Sequence, residues 1–305
     1  MESPLQACTL CPRQCHANRL AGRLGYCGSA VLTRMFRWGP HFGEEPPLSG
    51  TQGSGTLFFS HCTLRCIYCQ NAKWSNGGRG EDLTISALTE RFRTLAEKGC
   101  HNWNLVSPTP WLPQIAEATR PLLDAGIQLP FVYNTSGYER PEVLSTYHHL
   151  IDIGLADLRY ASTLSAIQGS DAKNYVEAAR ATIQWLWNHL GSLECDASGI
   201  AKRGLIVRLL ALPNRTNEVI ENLIWLRNTL GKGLAVSVMA QYNPVGQAAV
   251  TPTWDRRITP EEFEPIAELV EDLDFDQGWI QPCESETAEC MLGDDMTSGY
   301  GEVRE

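Results

Sequence analysis

The sequence predicts an α/β fold built around a parallel sheet, and three observations carry that prediction. From residue 56 onward, short apolar runs of strand character alternate with helix-period patterns. The alternation, strand then helix, repeats six times, which implies parallel strands joined by right-handed crossovers. Before it, residues 1–30 form a cysteine-rich stretch punctuated by Pro12, Gly22, Gly25 and Gly28, which cannot pack a core alone. On pattern alone, a doubly wound sheet satisfies the alternation as well as a barrel does. At 305 residues the chain suits one large domain with an appendage and is long enough for a barrel core.

Taken in order, residues 1–50 read as the cysteine-rich segment and a loop. Residues 39–55 carry Gly39, Pro40, Pro46, Pro47, Gly50, Gly53 and Gly55, a density that predicts ordered loop rather than an element. No Gly-Lys-Ser/Thr follows these glycines, so a phosphate loop is not expected. Glu44 and Glu45 in that loop read first as a solvated acidic turn, and second as a lining for a nearby cavity mouth. Residues 51–285 form the alternating core. Strands are expected at 56–60, 102–106, 130–134, 151–158, 205–212, 235–241 and 278–281. Helices are expected near 84–98, 113–125, 140–149, 216–230 and 260–273. The clearest amphipathic pattern puts Val176, Ala179, Ile183, Leu186, Trp187 and Leu190 on one face. Residues 286–305 read as a mobile acidic tail, and Cys283, just before it, as a plain buried thiol.

The net charge of −10 repels nucleic acid from the surface as a whole. Met1-Glu2-Ser3-Pro4 does not begin a signal peptide, and no apolar run approaches the about 20 residues of a membrane helix. Eleven cysteines, grouped in short-spaced clusters, point to metal in a reducing compartment rather than to disulfides. A cytoplasmic protein with neither a nucleic-acid nor a membrane partner is expected.

Two cysteine sets carry the chemistry. Cys62-x3-Cys66-x2-Cys69 opens the loop after the apolar run 56–60. Three thiolates on one short loop can hold three irons of a [4Fe-4S] cubane, leaving the fourth iron open, as a catalytic site requires. Tyr68, just before the third cysteine, would shield one side. Cys8-x2-Cys11-x3-Cys15 with Cys27 supplies four thiols that could close round a second metal, zinc or iron–sulfur, with His16 a substitute ligand.

The loop resembles the signature of the radical S-adenosylmethionine (SAM) enzymes. Its wording, Arg65-Cys66-Ile67-Tyr68-Cys69-Gln70-Asn71, is similar to the activating enzymes of glycyl-radical enzymes such as pyruvate formate-lyase, and nearest to a branch of pyruvate formate-lyase activating enzyme homologues. Cys11-Pro12-Arg13 and Arg19-x2-Gly22-x2-Gly25-x-Cys27 resemble the same branch. The resemblance implies a partial (β/α)6 TIM-like barrel preceded by the cysteine-rich segment. It also implies a [4Fe-4S] cluster and SAM as cofactors, and an electron donor such as flavodoxin or ferredoxin.

In a parallel barrel the functional groups gather at the carboxyl ends of the strands. The carboxylate of SAM needs a cation, for which Arg159 and Arg208 are placed. Its ribose hydroxyls need small polar partners, for which Asn134, Thr135, Ser136 and Gln241 serve. Asp157 would orient Arg159 or face the sulfonium, although Asp157 and Arg159 alone read as a strand-end salt bridge. By resemblance, Asp157 and Arg159 match the Asp-x-Lys of the activating enzymes' fourth strand, and Arg208 the arginine of the fifth. Three departures stand out. Arg159 replaces a lysine. Ser107-Pro108-Thr109-Pro110 stands in place of a Gly-Gly-Glu motif. Asn134 stands where those enzymes carry an aspartate associated with a monovalent cation.

The expected function is reductive cleavage of SAM to a 5′-deoxyadenosyl radical that abstracts hydrogen, with a protein or peptide substrate as in glycyl-radical activation. Alternatives are a radical SAM enzyme acting on a small molecule, and a non-catalytic zinc-binding interaction protein.

Overall fold

The structure is a computed structural model and describes residues 3–282. Cys283 and the expected tail at 286–305 lie outside the described residues.

One sheet dominates. Its parallel strands are β2 (Ser54–Phe59), β4 (Trp103–Val106), β5 (Phe131–Thr135), β6 (Ile153–Asp157), β8 (Ala201–Leu210), β9 (Ala235–Met239) and β10 (Gln277–Gln281). β1 (Thr33–His41) adds antiparallel to β2, and β3 (Glu81–Leu83) antiparallel to β1. β7 (Glu194–Cys195) pairs only with β8, off the main path. β2 and β5 are buried along their whole length, as strands covered on both faces are.

Across the sheet the order is β10-β9-β8-β6-β5-β4-β2-β1-β3. From β2 to β10 the strands follow sequence order without reversal. A doubly wound sheet reverses its order at a switch point, so the sequential winding of a barrel is the arrangement this chain adopts. Among the described residues the sheet ends at the edges β10 and β3.

Helices α3 (Ile85–Glu97), α4 (Leu112–Asp124), α5 (Pro141–Thr146), α7 (Tyr175–Leu190), α8 (Thr216–Leu230) and α9 (Pro260–Asp272) lie where helix periodicity places them. α3 starts on Thr84, whose hydroxyl accepts from the Ala87 amide, and buries Leu88, Phe92 and Leu95. α9 starts on a capping box between Thr259 and Glu262. α7 buries Tyr175, Ala179, Thr182, Ile183, Leu186 and Leu190, whereas Val176 and Trp187 sit at the margin of its buried face.

Four of the elements depart from expectation. The 39–55 stretch is not all loop: it holds the end of β1 and a one-turn helix, α1 (Pro46–Ser49). Pro40 is tolerated in β1 because β3 pairs with Thr33, Arg34 and Met35, so among the described residues no strand needs its missing N–H. Within residues 1–50, β1 is hydrogen-bonded into the sheet. The short helix α2 (Ala72–Ser75) follows the cysteine loop, and its Trp74 stacks on Phe36 of β1 with centroids 4.1 Å apart. Helix α6 (Thr163–Ser170) buries its small residues Ala166 and Gly169 and exposes Leu164 and Ile167, inverting the usual apolar pattern. No helix among the described residues is long and apolar enough to cross a membrane.

Candidate functional site

β2 delivers the chain to the loop that carries Cys62, Cys66 and Cys69. The loop docks on the end of α6, where the Arg65 amide donates to the Ser170 carbonyl (3.2 Å) and the Ile67 amide to the Gly169 carbonyl (2.9 Å). Gly169 leaves little room for a side chain, since a Cβ there would press on the buried Tyr160 hydroxyl and the Trp254 ring. Tyr68 is buried, stacked on Trp254 with centroids 5.6 Å apart.

All three thiols face one cavity of about 310 Å³. It opens at the carboxyl ends of the parallel strands, where Val106, Asn134, Asp157, Arg208 and Met239 also line it. Each sulfur has one donor near it. The Leu64 amide reaches Cys62 Sγ at 3.5 Å, the Ser170 hydroxyl reaches Cys66 Sγ at 3.0 Å, and Ser75 Oγ lies 3.2 Å from Cys69 Sγ. Burial and then the neighbouring Cys66 push the Cys62 thiol up to about 12, and burial also raises Cys69. Both are then neutral near pH 7 until a metal takes the proton's place.

Among the described residues, no three His, Cys, Asp or Glu side chains converge as they would round one ion. In a cubane each thiolate takes a different iron, so the three thiols need not converge on one point. No fourth cysteine lines this cavity among the described residues. The donor set therefore fits a three-thiolate cluster with one iron open.

The cation pair is built by register. Asp157 on β6 lies directly opposite Arg208 on β8. Arg208 Nε donates to Asp157 Oδ1 (3.0 Å), and its terminal nitrogens to Asn134 Oδ1 (2.7 Å) and Glu44 Oε2 (3.3 Å). Arg159 donates to Asp157 Oδ2 (2.5 Å), so the strand-end salt bridge is present and is shared by two arginines. Burial opposes the charge on Arg208, but Asp157, Glu45 and Glu44 outweigh it and hold Arg208 above the usual arginine range. Arg159 Nε is buried with no hydrogen-bond partner among the described residues.

Glu44 and Glu45 correct the reading of a solvated turn. Both are drawn into the cavity lining, and Glu45 is only 6% exposed. Glu44 accepts from Asn104 (2.9 Å) and Asn134 (3.4 Å) as well as from Arg208. Burial, above all, raises the carboxyl of Glu45, and its Oε2 has no partner among the described residues.

The four residues expected for the ribose divide. Ser136 and Gln241 line the cavity. Thr135 lines it too, but its hydroxyl is committed, donating to Glu139 and accepting from the Gly137 amide. Asn134 is spent on Arg208 and Glu44. Glu139, which sequence reasoning passed over, is a buried carboxyl that accepts from both Thr109 (2.6 Å) and Thr135. Burial pushes it up to about 7 against those hydrogen bonds. Its position two residues after Gly137, in the loop leaving β5, is the only local signal.

The four amino-terminal thiols gather separately. Cys8, Cys11, Cys15 and Cys27 line a cavity of about 20 Å³, together with Thr63 and Thr109. His16 is exposed and does not line it. Burial raises Cys8, and raises Cys11 to about 12.

No protein-family model matches the chain. A relative, the uncharacterized protein MJ0674 of Methanocaldococcus jannaschii, is 28% identical over 280 residues, covering 88% of this chain and 75% of the relative. Similar solved structures include Streptococcus suis SuiB bound to precursor peptide SuiA, at 11% identity and a TM-score of 0.45 over 76% of this chain and 49% of that one. Another is HydG, a maturase of the [FeFe]-hydrogenase, at 13% identity and a TM-score of 0.48 over 76% of this chain and 52% of that one. The chain thus spans about half the length of those two proteins.

Proposed function

We propose that this chain is a radical SAM enzyme. The observation that carries the reading is the meeting of three thiols and two arginines in one cavity at the carboxyl ends of a sequentially wound parallel sheet. When bound, a [4Fe-4S] cluster and SAM supply a one-electron cleavage that yields methionine and a 5′-deoxyadenosyl radical able to take hydrogen from a substrate. The chain's part is to bind, orient and exclude water.

Cys62, Cys66 and Cys69 would hold the cluster, and the donors on each sulfur favour the thiolate form. Arg159 and Arg208 would take the SAM carboxylate. Arg159 Nε is a donor without a partner among the described residues, and Arg208 exchanges part of its contact with Glu44 or Asp157 for the ligand. Ser136 and Gln241 are the polar groups left for the ribose. Tyr68 and its stacking partner Trp254 wall off one side.

The substrate we favour is a protein or peptide, on the similarity of residues 65–71 to glycyl-radical activating enzymes. The electron donor is a small one-electron carrier of the flavodoxin or ferredoxin class. The test is anaerobic reconstitution with iron and sulfide, followed by reduction with dithionite in the presence of SAM. Methionine and 5′-deoxyadenosine should form in equal amounts. Protein that binds zinc alone and leaves SAM intact overturns the reading in favour of an interaction module.

A further inference from the structure

The amino-terminal thiols sit where the fold offers little else to hold a chain. Among residues 3–32 the described secondary structure is a single 3-10 turn, Arg19–Ala21. The segment is pinned by backbone hydrogen bonds, including Cys8 N to Ala17 O (3.0 Å) and His16 N to Cys8 O (2.9 Å). Gly25 is pressed so close to Cys15 that a Cβ there would meet its Sγ at 2.4 Å.

Two observations say what the four thiols take. The first is size. The cavity they surround is about 20 Å³, room for one ion or one water and far too little for a four-iron cluster. The second is charge. Arg19 is only 2% exposed, and no carboxylate pairs with it among the described residues. Its nitrogens donate to the Ala30 carbonyl (2.9 Å) and the Pro110 carbonyl (2.6 Å), and its guanidinium lies over the Trp111 ring. A buried guanidinium needs negative charge close by. Cys8 neighbours Arg19, and four thiolates on a divalent ion would carry a net charge of −2 that supplies it.

We propose that Cys8, Cys11, Cys15 and Cys27 bind a single tetrahedral zinc ion that braces the Cys62–Cys69 loop. The four thiols release their protons as the ion binds. They stand round the cavity rather than converging on a point, so binding draws them in by side-chain rotation. The brace is made by the residues between the ligands. Arg13 donates to the Thr63 carbonyl (2.8 Å) and to the Asp171 carbonyl (2.6 Å). Its guanidinium lies 3.4 Å from the centroid of the Tyr26 ring. Tyr26 donates to Asp171 Oδ2 (2.7 Å), and its carbonyl accepts from Arg65 (2.7 Å). Thr63 and Arg65 belong to the cluster loop, so ordering Arg13 and Tyr26 orders that loop.

The test for the metal uses the full chain with Cys62, Cys66 and Cys69 all changed to Ser, so its outcome does not depend on the radical SAM reading. Expected are one zinc per chain, no acid-labile sulfide, and X-ray absorption showing four sulfurs at about 2.3 Å. Iron with sulfide in this variant, or no bound metal, overturns the proposal. The test for the brace is C11S/C15S in the otherwise unchanged chain. Amide exchange at residues 63–67 should rise at least roughly tenfold, as losing a charge-assisted contact gives, while exchange in β5 and β6 stays as it was. Unchanged exchange at 63–67 overturns the bracing role even if zinc is present.

Discussion

The two cysteine regions look alike as strings, Cys-x2-Cys-x3-Cys in one and Cys-x3-Cys-x2-Cys in the other, yet they are built to opposite ends. The amino-terminal set has four thiols round about 20 Å³, in a segment almost without regular structure. The second set has three thiols on about 310 Å³, at the mouth of a fully buried strand, with arginines and carboxylates across the space. A closed ligand set in a small cavity suits a structural ion; an open one in a large cavity leaves a coordination position for chemistry. Spacing alone does not separate the two. What separates them is the element that precedes each loop and the residues brought opposite it. The largest expected effect tests this directly. Cys62→Ala, Cys66→Ala or Cys69→Ala should each remove the iron–sulfur cluster and abolish reductive SAM cleavage, because three ligands leave no redundancy. Changing Cys8, Cys11, Cys15 and Cys27 together should lower the metal content and leave the cluster's electronic spectrum in place. Loss of both signals at once, in protein that still folds, would merge the two regions into one site.

Glu139 lies between the regions: Thr109, which donates to it, lines the small cavity, and Thr135, which also donates, lines the large one. Its carboxyl is raised from about 4.5 to about 7, chiefly by burial. A carboxyl raised in the folded state binds its proton more tightly there than in the unfolded chain. Its contribution is full below about pH 4.5 and is lost as pH climbs through 7. Over that window the loss is at most about 3 kcal/mol. Glu139→Gln, which can still accept from both threonines, should therefore be more stable than the parent above pH 7, with the gap closing towards pH 4.5. Denaturant unfolding across that range measures it, and parallel stability curves would show that Glu139 ionises freely in the fold.

A smaller effect is expected across the large cavity. Removing a charge-assisted contact to a partly desolvated carboxylate costs on the order of 1.5–3 kcal/mol. Arg208→Ala should weaken SAM binding roughly ten- to a hundredfold with cluster content unchanged. Arg159→Lys should be milder than Arg159→Ala, because it keeps the charge beside Asp157. SAM titration of reconstituted protein, followed by the cluster's spectrum, reads both. Wild-type affinity in Arg208→Ala would remove β8 from the ligand site.

How much of this was legible in the sequence depended on whether a feature is local. The strand-then-helix alternation and the thiols after β2 are set by neighbours in the chain, and both read directly. The order of the strands discards the doubly wound alternative, but order is a property of pairing between distant segments. Glu44 shows the limit most plainly. Two adjacent acids among prolines and glycines read as solvated, yet Glu44 is held by Arg208, 164 residues further on. β1 escaped because Arg34 and Arg37 interrupt its apolar residues and Gly39-Pro40 signals a turn. α6 escaped because it exposes Leu164 and Ile167 and buries its glycine. Asn134 and Thr135 line the large cavity, but their hydrogen bonds go to side chains that no local pattern reveals.

The smallest expected effect concerns one hydrogen bond of the open site. Tyr68, Tyr160 and Ser170 form a buried chain of hydroxyls, 2.6 Å between the two tyrosines and 2.7 Å from Tyr160 to Ser170, and Ser170 donates to Cys66 Sγ. A donor on a cluster sulfur stabilises the more reduced, more negative state and so raises the reduction potential. Ser170→Ala deletes that donor and leaves Cys66 in place. A single neutral hydrogen bond is worth about 0.5–1.5 kcal/mol, and a tenfold change in a one-electron equilibrium is about 59 mV. The cluster should therefore become harder to reduce by roughly 20–65 mV, with its iron and sulfide content unchanged. Tyr160→Phe, one step further from the sulfur, should shift the potential in the same direction by less. Redox titration of the two reconstituted variants decides between this and a purely structural role for Ser170. A structural role would lower cluster content and leave the potential of the remaining clusters where it was. A shift of the opposite sign would mean that Ser170 turns its hydroxyl away from Cys66 once the cluster is bound.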